Sequence, residues 1–274
     1  VAENGGVYRE GVSGAPHYLN PLLSAFNQTD QDLTPLIFNG LVKVDARGMY
    51  HPDLASRWWV DSTGMTYTLS LRPGVRWHDG QLFTADDVLY TIHTMQSPDF
   101  PGLQSLHDFW SNIQVKKITD YVVQFRLAEP LSSFLDALTI GILPAHLWQD
   151  IPVDVLDKSD LNLNPVGTGP FKFQALYRDH LALVPNPFWP GGRPYLQGID
   201  FYFYPNSFSV LTAYQKGEVD GIAEIPPDLL PQVKRFKDLQ LFFGTQPTYL
   251  AILLNLNNAE VPYLQDVRVR RALL

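Results

Sequence analysis

The sequence predicts a mixed α/β fold, and three observations carry that reading. Met65, Tyr67, Leu69 and Leu71 alternate with polar neighbours, the period-two pattern of a half-buried strand. Ala85, Val88, Leu89, Ile92 and Met95 recur at helical spacing behind a threonine suited to capping. Between such segments the chain is punctuated by Pro and Gly, 22 and 19 of its 274 residues, with no internal repeat. At ~150 residues per domain the length fits one large domain or two ordinary ones.

Taken in order, residues 7–12 form a short strand that runs into the turn Ser13-Gly14-Ala15-Pro16 and then His17-Tyr18-Leu19-Asn20-Pro21. Residues 65–78 read as a hairpin about Pro73-Gly74, the residue order a type II turn prefers. Thr84-Ala85-Asp86-Asp87 has the form of a helix N-terminus, with both acids facing the positive helix end. A second hairpin is expected from residues 113–118 and 121–127 around Thr119-Asp120, then helical pieces within 131–149, one starting near Pro144. Residues 150–165 read as a charged crossing loop. Strands follow at 171–177, 181–184 and 199–204, and Asn206 caps a helix that stops at Gly217. Residues 219–222, 239–243 and 249–256 are strand candidates, 226–236 is a helix candidate, and 266–274 reads as the opening turns of an amphipathic helix. With no Gly, Pro or polar tail behind that helix, the chain is expected to be a piece of a longer protein.

Composition excludes several chemistries. Lys plus Arg is 20 and Asp plus Glu is 28, a net charge of −8, which argues against nucleic acid and gives no support to docking on anionic lipid. With no cysteine there is no disulfide, thiol nucleophile or Cys-ligated metal. The seven histidines never fall three or four apart, so no helix offers a pair to a metal. Gly167-Thr168-Gly169-Pro170 lacks the third Gly of a dinucleotide fingerprint and reads as a structural turn. Asp86-Asp87 is the tightest acid pair, and a helix N-terminus explains it; Glu218 and Asp220 flank a strand start. No arrangement of nucleophile and base stands out, and the reading is of a non-enzyme without cofactor or metal. The six Trp residues are read mostly as core, and Asn27-Gln28-Thr29 matches a glycosylation sequon of the kind that arises by chance.

Seven runs together carry a resemblance. They are Leu36-Ile37-Phe38-Asn39-Gly40-Leu41-Val42 with Pro52-Asp53-Leu54-Ala55-Ser56-Arg57-Trp58; the long run from Tyr67 through Arg72-Pro73-Gly74-Val75-Arg76-Trp77-His78-Asp79-Gly80; Phe83-Thr84-Ala85-Asp86-Asp87-Val88; Ile142-Leu143-Pro144-Ala145-His146-Leu147-Trp148; Asn164-Pro165-Val166-Gly167-Thr168-Gly169-Pro170-Phe171; Lys216-Gly217-Glu218-Val219-Asp220; and Asp266 to Leu273. In this order they resemble the extracellular solute-binding proteins of family 5, the oligopeptide and dipeptide receptors of ABC importers.

The resemblance implies a periplasmic-binding-protein-like α/β fold of type II, with two lobes around a cleft and an inserted α/β domain. Lobe one would comprise 1–43 and 163–260, the inserted domain 44–162, and 261–274 would open a lobe two that is otherwise missing. The implied partners are a peptide ligand and ABC permease subunits, with an oligosaccharide ligand as the alternative; outside the resemblance, a glycoside hydrolase or esterase resting only on scattered acids is a remote alternative, and a structural or interaction protein that uses the surface facing lobe two is a further option. Location would be the periplasmic or extracellular face of the envelope, with membrane contact only through the permease or a removed lipid anchor. The cleft wall is expected from His17, Tyr18, Leu19 and Asn20 after the first strand, Ala223, Glu224 and Ile225 after residues 219–222, and Tyr249 at the hinge. With one wall only, ligand binding is expected to be weak, because closure of two walls is what excludes water from polar contacts.

Overall fold

The computed structural model describes residues 5–244, 254–258 and 260–273. They fall in two compact units, one reaching Leu239 and one beginning at Gln240. In chain order the first unit contains β1 (Val7–Ser13), α1 (Gln28–Ile37), β2 (Val42–Val44), β3 (Tyr50–Pro52), β4 (Ala55–Val60), β5 (Thr66–Leu71), α2 (Ala85–Gln96) and α3 (Gln104–Ser111). It continues with β6 (Gln114–Thr119), β7 (Val122–Arg126), α4 (Phe134–Ala137), α5 (Ala145–Trp148), β8 (Phe171–Leu176), β9 (His180–Pro185) and β10 (Gly198–Tyr204). It ends with α6 (Ser207–Gln215), β11 (Gly221–Ile222) and α7 (Leu230–Val233), and the second unit holds α8 (Val267–Ala272).

Two main sheets divide the first unit. The five-stranded sheet has the order β11-β1-β10-β9-β8, and the four-stranded sheet the order β4-β5-β7-β6. β1 runs parallel to β10, Val7 opposite Gly198 through Ser13 opposite Tyr204, although about 190 residues separate them. It also runs parallel to β11, while β10-β9 and β9-β8 are antiparallel. One continuous cluster of buried side chains links Val12 and Phe201 of the first sheet to Leu69 and Phe125 of the second.

The four-stranded sheet differs from the sequence reading at one point. Residues 65–78 do not form a hairpin, because both edges of β5 are taken, by β4 on one side and β7 on the other. Gly74, at φ +80°, instead turns the chain out of the sheet, and residues 75–83 close a separate small loop through Phe83 N–H to Val75 O and Trp77 N–H to Gln81 O, both 2.9 Å. That loop drives Trp77 fully into the core against the edge of Phe83. The β6–β7 hairpin, the strands β8 to β10 and the Asn206-capped α6 form as expected.

Thr84 caps α2 in a capping box whose other half is Asp87, which accepts from the Thr84 amide at 2.8 Å. Asp87 is buried and also accepts from Ala145 N–H at 2.9 Å; burial pushes its pKa up and those amides oppose the shift. Asp86 pairs with Lys117 at 2.7 Å. The acid pair is thus a helix N-terminus that also anchors α5.

Elsewhere local signals were weaker than expected. Residues 239–243 form no strand, and Phe242 and Phe243 are largely exposed. The 226–236 helix shrinks to Leu230–Val233, and only Gly221 and Ile222 of 219–222 pair as strand. The 150–165 loop carries two 3-10 turns. α8 forms behind Asp266, whose side chain accepts from Arg268 N–H. Of the tryptophans, Trp77, Trp110 and Trp148 are core, while Trp59 is exposed with Arg57 over its ring. The strand candidate 249–256 lies largely outside the described residues.

Candidate functional site

The three parallel strands β11, β1 and β10 end on the same edge of their sheet, so the segments that follow them emerge together. After β1 the chain turns at Gly14, at φ +98°, whose N–H donates to Tyr204 O at the end of β10. The next residues are tied down from below. Asp30 of α1, fully buried, accepts from the amides of His17 and Tyr18, each at 2.9 Å. Burial pushes the Asp30 pKa up, and the two amides work against that shift.

His17 is exposed and Tyr18 half-buried. Leu19 and Asn20 are fully buried. Leu19 is core, and Asn20 donates to Asn162 Oδ1 at 2.9 Å and accepts from Leu22 N–H at 3.0 Å. With their side chains spent on the scaffold, these two hold the loop. Ala223 and Glu224 are exposed and Ile225 half-buried; Ala223 N–H donates to Gly11 O at 3.1 Å, which sets this segment beside β1. Tyr249 lies outside the described residues.

A concavity lies further along the same segment. A cavity of about 710 Å³ is walled by Pro21, Ser24 and Ala25, by Gln31, Thr34, Pro35 and Phe38, by α3 through Ser105, Leu106, Phe109 and Trp110, and by residues 133–141 through Ser133, Asp136, Thr139 and Ile140. None of the sequence-predicted site residues lines it. α1, which supplies one wall, starts at Asn27, whose side chain accepts from Thr29 N–H and donates to Ala15 O at 2.8 Å. The sequon asparagine therefore serves as a helix cap. Pro35 lies inside α1 and has no N–H, so the helical bond to the Gln31 carbonyl is not made, and both residues line the cavity. Asp136 is the one charged side chain of the lining; its Oδ1 accepts from the Tyr50 hydroxyl at 2.7 Å.

The far end of α1 rests on a rigid hub. His78 Nδ1 accepts from Gly167 N–H at 3.2 Å, so Nε2 carries the proton and donates to Gly169 O at 3.1 Å. Burial lowers the His78 pKa to about 4, which keeps the ring neutral. Gly169 N–H donates to Ile37 O at 2.7 Å, and Asn186 Nδ2 donates to Gly169 O at 2.8 Å. A Cβ on Gly167 would overlap the Ile37 carbonyl, and one on Gly169 would come within 2.5 Å of Leu36 O. Gly167-Thr168-Gly169 is therefore a close-packing turn against the end of α1, as the sequence reading had it. Among the described residues no three His, Asp or Glu side chains come together as a metal group would require. No helix there is long and apolar enough to cross a membrane.

The sheet order, the separate antiparallel sheet and the concave wall beside the β1 loop define a type II periplasmic-binding-protein-like α/β receptor fold. Solved structures bear this out: AppA of Bacillus subtilis in complex with a nonapeptide is 27% identical with TM-score 0.80, over 86% of this chain and 47% of that one. NikZ of Campylobacter jejuni in complex with Ni(L-His) is 28% identical with TM-score 0.82, over 97% of this chain and 52% of that one. DppA of Helicobacter pylori in complex with the peptide STSA is 26% identical with TM-score 0.75, over 86% and 50%.

The family model described as bacterial extracellular solute-binding proteins, family 5 Middle, matches residues 49–274, and the chain belongs to that family. Curated relatives include the oligopeptide-binding protein AppA of Bacillus subtilis, 28% identical over 99% of this chain and 50% of that protein, and the dipeptide-binding protein of Escherichia coli, 28% identical over 95% and 52%. A probable di/tripeptide-binding protein of Pseudomonas aeruginosa is 30% identical over 87% and 48%. The chain spans about half the length of the curated relatives it matches.

Proposed function

We propose that the chain forms one wall of the ligand cleft of an extracytoplasmic receptor that delivers peptides to an ABC importer. The observation that carries this reading is the open cavity of about 710 Å³ that the segment following β1 helps to wall through Pro21, Ser24 and Ala25. A concave, largely apolar wall with a few hydrogen-bonding groups suits ligand capture. The peptide class is supported by the names of the relatives, oligopeptide-, dipeptide- and di/tripeptide-binding proteins. The oligosaccharide and hydrolase alternatives are not favoured.

In this reading lobe one comprises 1–43 with 163–260, the inserted domain 44–162, and 261–274 leads into lobe two. The pairing of β1 with β10 and β11, with a separate sheet at 55–126, supports that layout. His17, Tyr18, Ala223, Glu224 and Ile225 belong to the cleft edge. Permease subunits are the protein partners, and the receptor works outside the cytoplasmic membrane.

The test is heteronuclear NMR of the chain titrated with di- and tripeptides, which detects millimolar binding. Saturable shifts of amides in 17–38 and 105–141, with the peptides recovered intact, are expected. Hydrolysis of the peptides, or shifts with oligosaccharides and none with peptides, would sink the reading.

A further inference from the structure

We propose that the cavity receives a positively charged group on an apolar body, such as a basic side chain or an amine terminus, and turns away carboxylates. This rests on the reading of the cavity as ligand wall and adds the charge class of what enters it.

The lining contains one carboxylate, Asp136, and no Lys, Arg or His. Asp136 is exposed, its backbone is held by its neighbours, and its carboxylate is tied at one oxygen. Its N–H donates to Ser133 O at 3.0 Å, and the Thr139 amide and hydroxyl both donate to its carbonyl. Tyr50 OH holds Oδ1, while Oδ2 accepts no hydrogen bond among the described residues. The neighbouring carboxylate also pushes the Tyr50 pKa up, so this hydroxyl stays a donor at neutral pH. One oxygen of a positioned anion is thus left for an incoming cation, and an incoming carboxylate meets a like charge with no cation in the lining to offset it.

The rest of the lining suits the body of such a group. Phe38, Leu106, Phe109, Trp110 and Ile140 make it apolar. Trp110 is core, and half-buried Phe109 stands edge-on to it at 5.3 Å, which keeps the Phe109 ring in place. A ring held in this way is a surface on which an ammonium or guanidinium can rest.

Three probes of equal body and different charge test this by NMR titration of the chain: 2-phenylethylammonium, 2-phenylethanol and 3-phenylpropionate. The ammonium is expected to bind at least fivefold more tightly than the propionate and to shift amides of 105–109 and 133–141. Asp136→Asn, which keeps an acceptor for Tyr50, should bring the three probes within about twofold. Ala25→Trp, an exposed position on the rim, should suppress all three. Equal binding, tighter binding of the propionate, absence of binding by all three, or an ammonium preference that survives Asp136→Asn would overturn the proposal. Peptides Ala-Lys-Ala and Ala-Glu-Ala on the same sample separate the two readings. Amine preference with no peptide binding leaves the cation subsite standing and removes the peptide receptor. Peptide binding without preference for Lys, unchanged by Asp136→Asn, does the reverse.

Discussion

The hub around Trp77, His78 and residues 167–169 and the cavity wall around Ser24, Gln31 and Asp136 are built in opposite ways. In the hub both ring nitrogens of His78 are bonded, Trp77 is fully buried, and glycines stand where backbone meets backbone. The cavity wall is drawn from four separated stretches, and its polar side chains are mostly half-buried or exposed. The hub lies in the runs by which the family is recognised, and none of its residues lines the cavity. Its residues are constrained by packing, which tolerates few substitutes, whereas the wall has only to remain concave. The motif that identifies the family and the wall of the cavity are different parts of the molecule.

Substitutions should separate the two regions. Trp77→Ala empties a fully buried indole and is expected to cost ~3–5 kcal/mol. Urea unfolding followed by tryptophan fluorescence and far-UV circular dichroism measures it, and a loss below about 1 kcal/mol would show that the hub is not the rigid part.

Acid should attack the hub through His78. Its folded pKa of about 4 lies below the ordinary 6.5, so the unfolded chain takes up the proton first. This contribution to stability is full above pH 6.5, declines at ~1.4 kcal/mol per pH unit as pH falls toward 4, and is exhausted below that. Raised carboxylates such as Asp87 and Asp30 act with the opposite sign as pH falls through the carboxylate range, since the folded state holds their protons more tightly. Nitrogen NMR of the imidazole at pH 6 isolates the histidine: a neutral ring with the proton on Nε2 is expected, and an imidazolium there would contradict the hub geometry.

Gly167→Ala should cost about 2–3 kcal/mol, because relief of the overlap with the Ile37 carbonyl requires backbone to move. The second readout is the wall itself. Since the same turn supports the end of α1, amide shifts at residues 31–38 should accompany the loss of stability; a stability loss with no change there would uncouple hub from wall.

On the wall, Ser105→Ala is expected to stay within about 0.5 kcal/mol of the parent in stability, as exposed positions do. A larger effect would mean that the wall is packed as tightly as the hub.

Some of this was determined by sequence alone. The alternation at 65–71, the capping box at Thr84 and Asp87, the β6–β7 hairpin and the strands β8 to β10 follow from contacts within a few residues, and such contacts leave periodic marks. The Gly167-Thr168-Gly169 turn was legible as structure for the same reason. α1 left no clear mark: Pro35 interrupts it and polar residues fill its first turns, so Asn27 reads as a sequon until its side chain is seen capping Thr29 N–H. The alternation also continues past Pro73, and only the occupation of both β5 edges turns residues 75–83 away from the sheet. The cavity belonged wholly to the tertiary structure. Loops that follow strands drew attention to 17–20 and 223–225, yet burial consumed Leu19 and Asn20, and the concavity opened between segments about a hundred residues apart. Periodicity records which side of an element is buried against its own sheet or helix neighbours. Which distant surfaces fail to meet, and so leave a cavity, depends on how those elements pack, and no local pattern encodes it.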